Sequence, residues 1–268
     1  MKLREKILLG SLSLFGILYG REVTYDRLNR QVQSYVAANL DNIMKAQEKE
    51  MGIKYSAVPE VFYLVPSLFT EKSEIPSSQR ALGFYYNNSI FLYPNRLTTP
   101  ENNLTTILGK VFFPFRDDVK HSLDHELGHY HQDKHYPIKK WDSEPGLKLI
   151  TEGIAEYFKR RMNKFGDNFK DSDWPKKIET FKDAIDSPKT RHLIFYNGGY
   201  HLVKPIIDKF GLKGMEHLTA NIPTDSDLIN LPGYQQRALK KISQPIEMSK
   251  DRQIIKIHKK KIKRKHRK

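Results

Sequence analysis

The chain has 268 residues, of which 46 are Lys or Arg, 31 are Asp or Glu and none is Cys. With 38% apolar and 29% charged residues, its composition is that of a globular protein and excludes collagen-like and multi-span membrane proteins. The absence of Cys excludes disulfides, a cysteine nucleophile and thiolate metal sites. Any transition metal must therefore be held by His and carboxylate side chains.

The formal net charge of +15 is concentrated at the ends of the chain. Residues 250–268 carry +10 and residues 2–6 carry +2, which leaves only +3 for residues 7–249. This nearly balanced body argues against a folded nucleic-acid-binding domain, and no specific nucleic-acid site is found in it. The tail at residues 249–268 is predicted to be disordered, and its charge suits an anionic surface such as a membrane or a cell-wall polymer.

The first 20 residues have a basic start followed by an uncharged run, ILLGSLSLFGILYG, over residues 7–20. As a helix this run would be about 21 Å long, which is short of the ~30 Å hydrocarbon core of a bilayer. Its length favours a signal peptide or an uncleaved signal anchor, and a buried helix of a cytosolic domain is the alternative. We therefore expect an extracytoplasmic protein, either secreted or anchored to a membrane.

The chain between these ends, residues 22–248, is predicted to form one domain. A helix is predicted over residues 22–50, a strand at Val61–Val65, a polar loop over residues 67–80, and a hairpin over residues 81–94 around Asn87-Asn88. Further helices are predicted near residues 101–110, 117–134, 146–163, 175–185, 190–210, 212–220 and 233–243. Strands followed by helices indicate an α+β fold, with a small N-terminal sheet and a mainly helical second half.

The motif HELGH at residues 125–129 is the clearest chemical signal in the sequence. On a helix its two His side chains leave the same face and can bind one metal ion, for which zinc is the preferred candidate. Glu126 would lie beside the metal as the base that takes a proton from water. The apolar neighbours Leu123 and Leu127, and the hairpin that precedes the helix, favour a metal site over an exposed helix.

Two His side chains leave a catalytic zinc one protein ligand short. His121 lies on the same helix face, but three ligands on one helix would span ~12 Å, so we reject it. His135 has the third-ligand spacing of the metzincin pattern, but that pattern needs Gly where this chain has Gln132. Glu152, on the next predicted helix, can approach the ion from the side. Glu156, one turn later, is placed to accept the second ring N–H of a ligating His.

The motif HELGH, followed 23 positions later by Glu152 in the run EGIAEY, resembles the gluzincin metallopeptidases, and among them the aminopeptidase-N-like group. The run YNGGYHLV at Tyr196–Val203 is similar to that group's Tyr-x-x-Gly segment, which opens a helix. The resemblance covers roughly residues 81–243 and implies a zincin-like catalytic domain with a bound Zn²⁺. The group's Gly-x-Met-Glu-Asn signature does not occur upstream of the metal helix, so the likeness concerns the catalytic core.

The resemblance also implies a role for each site residue. His125, His129 and Glu152 would hold the zinc, and Glu126 would act as general base and then as general acid. Tyr196 would donate a hydrogen bond to the oxyanion of the tetrahedral intermediate, with His192 and Tyr200 as its substitutes.

The sequence therefore predicts a zinc metallopeptidase that hydrolyses peptide bonds in a peptide or protein substrate. A non-catalytic zincin-like domain used for binding is one alternative. A cytosolic metalloprotease directed to nucleic acid by its basic tail is the other. Peptidase activity with and without a chelator tests the first alternative, and the cellular location of the N-terminal segment tests the second.

Overall fold

The structure, a computed structural model, describes residues 29–64, 83–93, 115–136 and 144–244. The predicted N-terminal signal at residues 1–20, the loop at 67–80, the helix near 101–110 and the basic tail at 249–268 lie outside these ranges. Within the ranges, no helix combines the length and the apolar character that a membrane crossing requires.

The first described elements are a helix and a small sheet. Helix α1 covers residues 29–51 and ends at Gly52, whose φ of 65° is the left-handed conformation that commonly closes a helix. The strands are β1 (Glu60–Tyr63), β2 (Gly83–Tyr86) and β3 (Ser89–Leu92). Asn87 and Asn88 both have positive φ, 48° and 67°, as the tight two-residue hairpin turn between β2 and β3 requires.

The strands form one sheet in the order β1-β3-β2. β3 pairs with β1 in parallel, Val61 opposite Ile90, and with β2 in antiparallel register, Tyr85 opposite Ile90. The hairpin follows from the sequence pattern, but the parallel β1–β3 pairing was not predicted. In the described part of the chain, β2 is therefore an edge strand.

The rest of the described chain is helical. The two long helices are α2 (Phe115–His135) and α3 (Pro145–Asn163). The shorter ones are α4 (Ile178–Asp186), α5 (Pro188–Arg191), α6 (Gly199–Phe210), α7 (Leu212–Ala220), α8 (Asp225–Leu228) and α9 (Leu231–Ser243). A 3₁₀ turn lies at Asp171–Asp173, and a π-helix at His192–Gly198 leads directly into α6. The domain is thus α+β and mainly helical, as the sequence predicts.

Helix α2 lies between two apolar cores. One face of α2 packs on α1 and on the inner face of the sheet through Val119, Leu123, Leu127 and Tyr130. On its other side lies α3, which buries its own apolar side chains among α6, α7 and α9. Both faces of α2 are covered, so the polar residues of the HELGH motif are held in the interior of the domain.

A buried carboxylate fixes α2 against both neighbouring long helices. Asp124 is fully buried and accepts hydrogen bonds from Gln47 of α1 (2.9 Å), Lys120 (2.7 Å) and Asn163 of α3 (2.9 Å). A buried charge is tolerated only when it is paired and hydrogen-bonded, and Asp124 meets this condition. The residue directly before the metal motif is therefore immobilised.

The segment between α3 and α4 packs behind the π-helix. A Cβ added at Gly198 would lie 2.6 Å from the Trp174 ring, so only a glycine allows this approach. The same segment is bound to α6 by His201, whose Nδ1 lies 2.8 Å from Asp167 Oδ2 and whose Nε2 lies 3.1 Å from Asp171 Oδ1. The segment thus forms a supported wall behind the π-helix.

Candidate metal centre

The two His of the HELGH motif and Glu152 converge in the structure. Glu152 Oε2 lies 3.2 Å from His125 Nε2 and 3.4 Å from His129 Nε2. The three prospective ligand atoms lie within 4.8 Å of one another, and no other group of three His, Cys, Asp or Glu residues in the described part of the chain meets this criterion. His and carboxylate are the ligands that a catalytic zinc takes in the absence of Cys.

Close packing of α2 on α3 makes this convergence possible. A Cβ added at Gly128 would lie 2.8 Å from the Cα of Ala155, which is closer than real side chains come. The two helices are antiparallel, since Lys120 reaches Asn163 at one end and Gln132 reaches the Thr151 carbonyl at the other. The small residues at the crossing thus bring a carboxylate of α3 within reach of two imidazoles of α2.

The electrostatics of the cluster favour a cation. Burial opposes a charge on His125, but the nearby carboxylates of Glu152 and Glu156 raise its pKa to about 10. Burial by itself would raise the pKa of Glu152, yet hydrogen bonds with His125 and His129 hold that pKa well below its usual range. The carboxylates therefore stabilise positive charge at the ring nitrogens. A divalent metal ion supplies that charge to the same donor atoms, so the residues present fit a metal.

The second ring nitrogen of each His has a polar neighbour. His125 Nδ1 lies 3.5 Å from Glu156 Oε2, the position that the i+4 spacing from Glu152 predicts. His129 Nδ1 lies 3.5 Å from the amide nitrogen of Gln132, which also donates to the Thr151 carbonyl at 3.0 Å. Neighbours of this kind orient the rings of metal-binding His residues.

Gln132 is a site residue that the sequence analysis missed. It entered only as the residue that breaks the metzincin pattern. In the structure it is fully buried and contacts both a prospective ligand on α2 and the residue before the prospective ligand on α3. Its i+3 spacing from His129 was the available signal.

Glu126 lies beside strand β2 of the sheet. It is buried, and a backbone hydrogen bond from Tyr85 of β2 reaches its carboxylate. A Cβ added at Gly83 would lie 3.6 Å from Glu126 Cγ, so β2 passes directly beside this side chain. Burial raises the pKa of Glu126, while the nearby His125 and His129 act in the opposite direction. A carboxylate of raised pKa beside a metal is suited to accept and return a proton.

Tyr196 lies against the cluster from the π-helix. Its ring is stacked on that of His125, with centroids 5.2 Å apart and planes 8° apart, and also on that of His192, with centroids 5.3 Å apart. Burial raises the pKa of Tyr196 well above its ordinary value, and the charges of Glu152 and Glu126 add to the effect. The phenol is therefore neutral and able to donate. The family segment that Tyr196 resembles opens a helix, and here Tyr196 lies in the π-helix that leads directly into α6.

A second close helix crossing brings the π-helix to the cluster. A Cβ added at Gly153 of α3 would lie 2.6 Å from the carbonyl carbon of Gly199, the first residue of α6. Gly153 directly follows Glu152, and the π-helix ends directly before Gly199. The backbone contact therefore sets the distance between a prospective ligand and the segment that carries Tyr196. π-helical turns of this kind are frequent at functional sites.

The rejected residues His121 and His135, and the substitute Tyr200, lie outside the cluster. His121 packs on Phe165 with ring centroids 4.9 Å apart, and His135 packs on His131 at 4.4 Å. Helix α2 continues unbroken through Gln132 to its end, whereas the metzincin pattern requires the chain to leave the helix there. Tyr200 lies beneath the guanidinium of an arginine of α3, and only His192 adjoins the cluster, through Tyr196.

Comparison of the chain with protein-family models, with curated proteins and with solved structures gives no match in any of the three. Its function is therefore inferred from the site itself.

Proposed function

We propose that this chain is a zinc-dependent metallopeptidase of the gluzincin type, with a zincin-like fold. One observation carries the proposal. Two imidazoles and a carboxylate converge on one point, and the same point is flanked by a buried carboxylate, Glu126, and a half-buried neutral phenol, Tyr196. Ligands, base and hydrogen-bond donor are the parts that metal-assisted hydrolysis of an acyl group needs.

The proposed reaction assigns one task to each group. His125, His129 and Glu152 would hold the zinc, which when bound polarises the scissile carbonyl and makes water easier to deprotonate. Glu126 accepts a proton from the attacking water as the water oxygen bonds to the carbonyl carbon. Glu126 then passes this proton to the leaving amine as the C–N bond breaks. The Tyr196 hydroxyl donates to the carbonyl oxygen, where negative charge develops.

The edge strand β2 is the proposed support for the substrate backbone. It passes beside Glu126 and, among the described residues, pairs with β3 alone. An extended peptide can add to such an edge through main-chain hydrogen bonds, which suits a peptide or protein substrate. The predicted extracytoplasmic location rests on residues 7–20 and stays a prediction from the sequence.

Zinc content of the purified protein tests the ligand set. We expect one zinc per chain by elemental analysis, strong loss in Glu152→Ala, and full retention in His135→Ala, because His135 packs on His131 outside the cluster. Loss of zinc in His135→Ala with retention in Glu152→Ala would support the metzincin-like arrangement instead.

Glu126→Gln separates metal binding from catalysis in the same experiment. The variant should keep its zinc, because Glu126 is not a ligand, and should lose peptide hydrolysis by ~10²–10⁴-fold, the usual contribution of a general base. A wild-type protein that binds zinc but cleaves no peptide, with and without chelator, would indicate the non-catalytic binding domain.

A further inference from the structure

Arg160 of α3 donates hydrogen bonds to three different parts of the domain. Its Nε donates to Glu156 Oε1 at 2.8 Å, its Nη1 donates to the Gly166 carbonyl at 2.9 Å, and its Nη2 donates to Asn197 Oδ1. Its guanidinium also lies over the ring of Tyr200, 4.5 Å from the centroid. The side chain is only 11% exposed, so these partners replace solvent almost completely.

The partners of Arg160 lie directly behind two prospective site residues. Glu156 is the carboxylate whose Oε2 is 3.5 Å from His125 Nδ1, and its other oxygen accepts from Arg160. Asn197 is the neighbour of Tyr196 in the π-helix, and Tyr196 stacks on His125. One guanidinium therefore joins the support of a prospective ligand to the support of the prospective oxyanion donor.

We infer that Arg160 is a positioning residue that sets the orientation of His125 through Glu156 and the place of Tyr196 through Asn197. The inference rests on the proposed function. The rigid fork of a guanidinium suits this role, because it holds two acceptors in a fixed relation that an ammonium group cannot reproduce. No atom of Arg160 is required to touch the substrate.

Lys159 supplies a matched control for the charge of Arg160. Its Nζ lies 3.1 Å from Glu156 Oε2, so it pairs with the same carboxylate from the adjacent position in the chain. Its described hydrogen bonds stay within α3. Lys159→Gln therefore removes a positive charge beside Glu156 and leaves the connection to Asn197 in place.

The experiment compares zinc affinity, by competition with a chromophoric chelator, and steady-state peptide hydrolysis in five proteins: wild type, Arg160→Gln, Arg160→Lys, Asn197→Ala and Lys159→Gln. Arg160→Gln should bind zinc more weakly, by at most the ~10–100-fold found when a direct partner of a metal ligand such as Glu156 is lost, and should also lower kcat. Asn197→Ala should lower kcat roughly tenfold, with zinc affinity and KM changed little, because only the Tyr196 end is released. Lys159→Gln should stay within about threefold of wild type in both measurements.

These results distinguish bridging by the Arg160 guanidinium from a simple effect of positive charge near Glu156. Rescue of both properties in Arg160→Lys, or an equal loss in Lys159→Gln, would show that charge near Glu156 suffices and would overturn the inference while leaving the proposed function intact. A wild-type protein without zinc affinity would overturn both. If circular dichroism shows that Arg160→Gln is unfolded, Asn197→Ala decides, and unchanged kcat in that variant removes the link to Tyr196.

Discussion

The ring of Tyr196 stacks on the imidazoles of His125 and His192. Removing its hydroxyl group distinguishes a catalytic role of Tyr196 from a packing role. Tyr196→Phe removes one oxygen and keeps both ring stacks. If the phenol donates to the oxyanion, kcat should fall on the order of 10²–10³-fold while KM and zinc content change little, because the interaction is made only in the transition state.

Tyr200→Phe is the control for this prediction. Its ring packs on Arg160 and Tyr157 rather than on the cluster, so its turnover should stay near that of wild type. An unchanged turnover number in a stable Tyr196→Phe variant would remove Tyr196 from the mechanism and direct attention to His192, which adjoins it.

At this scale the sequence predicted the residues that spacing on one helix brings together. His125 and His129 share a face, as do Glu152 and Glu156, and the structure places all four in one cluster. Contacts between separate elements had no such signal. The bond from Arg160 to Asn197 joins residues 37 positions apart, and no periodicity reports a pairing of that kind.

At the scale of the elements, the crossing of α3 and α6 leaves no room for a side chain at Gly153. Gly153→Ala would place a Cβ 2.6 Å from backbone atoms of Gly199, and backbone cannot give way as a flexible side chain can. We expect a loss of about 1–3 kcal/mol in the free energy of unfolding, the usual cost of overpacking, measured by denaturant titration. Gly166→Ala is the control, because a Cβ there has nothing within 4 Å. Equal stability of the two variants would show that the crossing relaxes without cost.

The sequence predicted the positions of the longer helices better than it predicted the π-helix or the short helix α8. Helices at 117–134, 146–163, 212–220 and 233–243 lie where apolar side chains repeat with the helical period, and the structure has helices there. The predicted helix at 190–210 is π-helical over His192–Gly198 and α-helical from Gly199, and apolar spacing over seven residues is too short a pattern to distinguish the two. The short α8 was not predicted, although Thr224 and Asp227 form a capping box at its start.

At the scale of the whole molecule, most of the positive charge lies in the tail and not in the proposed catalytic site. The tail can therefore affect binding to an anionic surface without affecting catalysis. The tail at residues 249–268 holds +10 of the total +15, and the proposed site lies entirely within residues 125–196. Deletion of the tail should leave small-peptide hydrolysis and the melting temperature unchanged. It should also weaken adsorption to vesicles containing anionic lipid, with a difference that disappears at high salt. A truncated protein that is inactive or unfolded would show that the tail packs on the domain.

The contacts of His201 with Asp167 and Asp171 make the stability of the domain depend on pH. Burial opposes the imidazolium, but hydrogen bonds to Asp167 and Asp171 raise the pKa of His201 above its usual value. The folded protein therefore holds this proton more tightly than the unfolded chain. These contacts thus stabilise the folded state in full below the unfolded-state pKa of about 6.5. Their contribution is lost as the pH rises through the higher folded-state value. Unfolding free energies of wild type and His201→Gln should thus differ most in mild acid and converge in mild alkali, and a difference independent of pH would mean that His201 acts by packing alone. In an alkaline medium the segment behind the π-helix would then be bound less firmly to α6.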